Sequence, residues 1–137
     1  MTNQTLAQSY LLKATKRLKV LDVLLEEEAY SDVVRKAQEL VELALKGILR
    51  QLGVEPPKQH DVGWLVVEFK DRLPAKVSGQ AERLARISKW LRKEREFSFY
   101  GDVDFIPTEE YTKEDAERTK RDAFFVVSMA QKVIIPD

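Results

Sequence analysis

Apolar residues recur along almost the whole chain at intervals of three and four, the spacing that stacks side chains on one face of a helix. Leu11, Ala14, Leu18, Leu21 and Leu25 form the first such row, within a helix of roughly residues 2–28. The segment "AYSD" interrupts it, and Ser31 or Asp32 can accept hydrogen bonds from the free N–H groups that begin the next helix. That second helix, about residues 32–52, carries Val34, Ala37, Val41, Ala44 and Ile48 inward, and Leu40, Leu43, Leu45, Leu49 and Leu52 widen its apolar surface. A helix apolar over so wide an arc packs on two sides and sits centrally. The short connection makes the two helices antiparallel neighbours.

Gly53 then suits a C-terminal cap, and "EPPK" forbids further helix because proline lacks the donor and its ring clashes with the preceding turn. "HDVGWLVVEFKDRL" restarts with Asp61 as cap and predicts a third, shorter helix ending before Pro74. "WLVVEF" also suits a strand, but no partner strand is visible elsewhere, so helix is preferred. A fourth helix spans from about Ser78 to the mid-90s, a loop follows through "GDVDFIPTEEYT", and a fifth helix starts at Lys113. It turns Ala116, Ala123, Val127, Ala130 and Ile134 inward, and Thr112 with Asp115 gives it a cap-like start. The sum is an all-α fold, an antiparallel bundle of four long helices and one short helix, in a single domain over residues 1–137. Glu26, Glu27 and Glu28 run against this order, since they lie at the negative end of the first helix dipole; Arg35 and Lys36 are cations placed to offset them.

Composition narrows the function classes. Lys plus Arg equals Asp plus Glu at 23 each, which removes any global electrostatic pull toward nucleic acid or an anionic membrane and leaves only local patches. With no cysteine there is no disulfide framework, thiolate nucleophile or cysteine metal site. The five glycines are scattered singly and make no phosphate loop, and the carboxylates have no metal-site spacing with a histidine, so neither cofactor nor metal is expected. The start "MTNQTLAQSY" lacks the apolar core of a signal peptide, and no run approaches the roughly 20 apolar residues that span a bilayer. A cytoplasmic protein without membrane contact is expected.

One position breaks the helical pattern. With Leu84 at zero and about 100° per residue, Ile87 falls near −60°, Leu91 near −20° and Arg95 near +20°. Arg95 therefore continues the inward row, whereas Arg86, Lys89 and Lys93 face the opposite side and read as a solvated face. A guanidinium with buried flanks needs fixed acceptors. Two readings fit: an ion pair with Asp102 or Asp104 that closes the bundle end, and an anion site whose planar fork grips a phosphate bidentately. Phe97, Phe99, Tyr100 and Phe105 follow within ten residues and can stack a base or plug the bundle end. Trp64 and Trp90 read as core or interface anchors.

"AQELVELALKGILRQLG", then "QHDVGWLVVEF", then Arg95 with Tyr100 and "YGD", then an alanine-rich and aromatic closing helix, resemble the HEPN family (higher eukaryote and prokaryote nucleotide-binding domain). The resemblance covers nearly the whole chain. It implies a helical bundle that forms homodimers and often accompanies a small nucleotidyltransferase in prokaryotic toxin–antitoxin or defence systems. Many members are metal-independent ribonucleases whose signature is an arginine, four to six residues, then a histidine. Arg95 matches the arginine, and Tyr100 stands where the histidine would be. Cleavage through the 2′-hydroxyl of RNA needs a proton acceptor near neutral pH and a cation on the phosphorane-like transition state. Arg95 suits the second task, but a phenol ordinarily titrates about three decades above neutrality and makes a poor acceptor. A toxin branch of the family is adenylylated on a tyrosine two residues past the histidine, and that position is Asp102 here. The single histidine, His60, precedes the expected cap at Asp61, and it meets Arg95 only if the fold or a dimer brings them together.

The sequence thus predicts a homodimeric HEPN-like module that binds a nucleotide or RNA phosphate, or a nucleotidyltransferase partner, around Arg95, Tyr100, Asp102 and His60. The alternatives are an endoribonuclease using Arg95 with Tyr100 or His60, and a dimeric scaffold without ligand.

Overall fold

The computed structural model describes residues 2–58 and 61–134. Four long helices carry the architecture: α1 (Asn3–Glu26), α2 (Tyr30–Gln51), α5 (Ala81–Phe99) and α7 (Lys113–Val133). Between them lie α3 (Gly63–Glu68), a 3-10 turn (Lys70–Arg72) and the single-turn helices α4 (Ala75–Ser78) and α6 (Pro107–Glu110). No strand occurs among the described residues, and "WLVVEF" is helical up to Glu68, with Phe69 as its cap. Helix α2 is the hub, in contact with α1, α5 and α7. Val33, Val34, Leu40, Leu45, Ile48 and Leu49 are withdrawn from water along its length. Each such side chain contributes roughly 1.5–3 kcal/mol of burial energy, which explains why this helix orders the others around it.

The helix ends show which local signals hold. Gly53 adopts φ +79°, and the Gly53 and Val54 N–H groups close on the carbonyls of Arg50 and Leu49, the expected glycine cap. Thr112 and Asp115 exchange hydrogen bonds of 3.0 and 3.1 Å in a full capping box. Helix α2 differs from expectation, since it starts at Tyr30 with no side-chain cap. Ser31 is buried, and Asp32 sits in the first turn, where its charge favours the helix dipole.

The third helix is shorter than its pattern predicts. Leu73 is forced toward extended backbone (ψ 151°) by the proline after it, so the helix breaks beyond Glu68 and tightens into the 3-10 turn. The cap position of α3 falls to Val62 rather than to the expected Asp61, one residue earlier, whose Oδ1 instead accepts from the Gly63 N–H at 3.2 Å and from the Ser88 hydroxyl at 2.8 Å. This pins the start of α3 onto α5.

The three glutamates closing α1 are not offset by Arg35 and Lys36, which pair with Glu39 instead. Glu28 takes a left-handed conformation (φ 60°), while the Glu28 and Ala29 N–H groups cap the carbonyls of Leu25 and Leu24. A glutamate there carries a steric penalty of roughly 1 kcal/mol that glycine avoids. Glu28→Gly is accordingly expected to raise stability by about 0.5–1 kcal/mol, read as a higher urea midpoint at unchanged slope. An unchanged or lower midpoint would contradict this reading of the cap.

Candidate anion-binding site

The inward row of α5 is as its periodicity requires. Leu84, Ile87 and Leu91 are buried, Arg86, Lys89 and Lys93 are exposed, and Arg95, next on the row, is half-buried. Arg95 lines a cleft of about 410 Å³ together with Arg17 of α1 and Lys36, Gln38, Glu39, Glu42 and Leu43 of α2.

The charges of this cleft are unequally satisfied. Glu39 receives Lys36 at 3.3 Å and Arg35 at 3.7 Å, while Glu42 receives Lys46 at 3.0 Å and the Gln38 amide at 3.0 Å. Gln38 is buried and also accepts from Arg35, so its amide is locked in orientation. Both carboxylates are thus held by other groups. Arg17 and Arg95 make no ion pair among the described residues. The Nε of Arg95 is shielded from solvent and has no hydrogen-bond partner. An orphaned, shielded donor on a cation is costly unless something supplies an acceptor. Hence the cleft has the chemistry to take an oxyanion.

Of the other candidates, Tyr100 and Asp102 do not line this cleft. Tyr100 is 77% exposed, stacks on Phe99 at 4.6 Å and does not line the Arg95 cleft. Asp102 exchanges backbone hydrogen bonds with Phe105, and its Oδ1 accepts from the Asp104 N–H at 2.8 Å, so its carboxylate holds a turn. That turn needs Gly101, whose φ is +65° and whose missing side chain leaves room for the Phe105 carbonyl. Neither Asp102 nor Asp104 forms an ion pair with Arg95. His60 lies outside the described residues. Among the described residues no cluster of acidic or histidine side chains suits a metal ion, and no helix is long and apolar enough to cross a membrane.

Aromatic residues of the loop divide between plug and surface. Phe105 packs on Phe97 at 5.2 Å and edge-on to Tyr111 at 5.6 Å. The buried Tyr111 hydroxyl donates to Glu94 at 3.1 Å, tying the loop to the residue just before Arg95. Burial, and then the Glu94 carboxylate, push the Tyr111 phenol well above its ordinary range, so it stays a donor. Phe99, Val103 and Ile106 remain exposed beside Tyr100. Trp64 is also half-exposed, contrary to a core role, whereas Trp90 lies under Arg118.

Sequence reasoning found Arg95 but missed Arg17, Lys36 and Gln38. The buried Gln38 is a weak signal, as a polar residue beside Ala37 on the central helix; nothing in the row of α1 marks Arg17.

Three comparisons bear on identity. The chain is 28% identical over 124 residues to "Putative toxin MJ1304" from Methanocaldococcus jannaschii, covering 85% of this chain and 80% of that protein. No solved structure matches significantly. The model of the HEPN domain family matches residues 7–133, nearly the full bundle with α5 and its Arg95 inside it. On that match the chain belongs to the HEPN family.

Proposed function

We propose that this HEPN domain is a toxin-type binding module whose Arg95 cleft grips a phosphate of RNA or of a nucleotide. The carrying observation is the shielded, unpartnered Nε of Arg95 in a cleft whose two carboxylates are already engaged. Arg17 supplies a second cation without an ion pair, and Lys36 a third at the rim. A phosphate bound there would replace the missing acceptor with charge-assisted bonds. The name of the methanogen relative favours the toxin-type context. The exposed group of Phe99, Tyr100, Val103 and Ile106 offers an apolar surface for homodimerisation beside the site, or for a small nucleotidyltransferase partner.

Binding fits the geometry better than cleavage. Arg95 can stabilise a transferring phosphate, but Tyr100 is largely exposed and does not line the cleft, and the phenol of Tyr111 is held protonated. The test is fluorescence anisotropy with a labelled single-stranded RNA in a chelator, for the natural chain and Arg95→Leu. Arg95→Leu keeps the apolar row intact and is expected to fold normally while affinity falls roughly tenfold or more, the worth of a charge-assisted contact. Equal affinity in the folded variant removes the proposal. Shortening of the RNA by the natural chain, lost in Arg95→Leu, would instead favour the nuclease reading.

A further inference from the structure

On the other side of α5 a second groove opens toward α7, sharing no lining residue with the Arg95 cleft. Its walls are Arg86, Ile87 and Trp90 of α5 and Arg118 and Asp122 of α7, around a volume of about 220 Å³. The two helices run antiparallel along it. Arg83 lies over the Phe125 ring at 3.7 Å at one end, and Arg118 lies over the Trp90 ring at 4.6 Å at the other.

These stacked pairs matter for what the groove can hold. A guanidinium laid on a ring face uses its π surface and leaves its in-plane N–H donors free. Stacking also fixes the side chain in advance, so less rotamer freedom is lost when a ligand arrives. Arg83, Arg86, Arg118 and Arg121 form no ion pair among the described residues. Against these four cations stands Asp122, half-buried and near Arg118, Arg83 and Arg121. Burial nevertheless pushes its carboxyl upward, outweighing the pull of the three arginines in the other direction. The chain as a whole is neutral, yet here four arginines gather with Asp122 and, beside Arg86, Glu82 as nearby acids, and none of the four closes an ion pair among the described residues.

We propose that the groove between α5 and α7 is a second binding site, in which Arg86 and Arg118 grip the phosphate of a phosphorylated sugar and Asp122 accepts from a neighbouring sugar hydroxyl. Size supports a group of this kind, since the volume lies below the roughly 300–1,000 Å³ of sites that enclose larger small molecules. The bidentate fork favours phosphate, and the Asp122 carboxylate among the arginines rewards a ligand that carries a donor beside its anion. Such a phosphate can belong to a free sugar phosphate or to the 5′ end of a nucleic acid. The site does not depend on the reading of Arg95.

Trp90 makes the groove observable. Tryptophan fluorescence of the full chain is followed during titration with ribose 5-phosphate, inorganic phosphate, ribose and a 5′-phosphorylated single-stranded RNA, in a Trp64→Phe background. A saturable change with ribose 5-phosphate at millimolar concentration is expected, weakened about tenfold or more by Arg86→Gln or Arg118→Gln and unaltered by Arg95→Leu. Asp122→Ala should weaken ribose 5-phosphate while leaving inorganic phosphate equal or tighter. A response to the RNA alone, lost when its 5′-phosphate is removed, assigns the same chemistry to a chain end. No saturable response to either ligand, survival of the response in the arginine variants with native circular dichroism, or equal affinity for inorganic phosphate would each overturn the assignment.

Discussion

Replacing Gly63 by valine is expected to destabilise the protein by about 3 kcal/mol, a large part of the roughly 5–15 kcal/mol that holds a domain of this size. The reason lies in the closeness of α3 to α5. A Cβ at Gly63 would stand 2.7 Å from the Ala85 Cα and 3.2 Å from the Cβ atoms of Ala85 and Ser88. Its nearest neighbour is backbone, so no flexible side chain can yield and one helix has to move. Movement would strain the Ser88–Asp61 hydrogen bond of 2.8 Å, which joins the same two elements. Alanine already meets this contact, and valine adds two methyl groups to it. Urea unfolding followed by circular dichroism should give midpoints in the order glycine, alanine, valine. A valine variant with the natural midpoint would mean that the α3–α5 contact is looser than its geometry.

This contact was invisible in the sequence, where Gly63 sits inside "HDVGWLVVEF" as one more residue of an apolar helix. Periodicity reports which face of a helix turns inward but not how closely two faces approach. The same limit explains the site. The row Leu84, Ile87, Leu91 and Arg95 was legible because a charged residue interrupted a regular interval on one helix. Arg17, Lys36 and Gln38 reach Arg95 only through the packing of α1 and α2, distant in sequence, and no local pattern encodes that meeting. Tyr100 and Asp102 illustrate the converse. Their closeness to Arg95 in sequence suggested one site, yet α5 ends at Phe99, a turn follows at Gly101, and neither side chain lines the cleft. The groove of Arg86 and Arg118 was half legible. Arg86 read as a solvated face, and exposure is what the structure gives it, but its neighbours on α7 are set by the antiparallel pairing of two helices.

Truncating Leu91 to alanine should cost about 2–5 kcal/mol and weaken the grip of Arg95 as well. Leu91 is 1% exposed and lies one turn before Arg95 on the inward row. Removing its isobutyl group leaves a cavity that neighbouring side chains fill only in part. Leu84, fully buried on the same row three turns before Arg95, makes the control, because Leu84→Ala carries a similar cost at the far end of the helix. Stability alone therefore cannot separate the two variants. Affinity can, since a half-buried guanidinium binds well only if its supporting shell holds it in place. Under conditions where both variants remain folded, Leu91→Ala is expected to lose RNA affinity several-fold while Leu84→Ala keeps that of the natural chain. Equal affinities in the two variants would show that packing beneath Arg95 does not position it, and would transfer that task to the Tyr111–Glu94 hydrogen bond at the loop end of the helix.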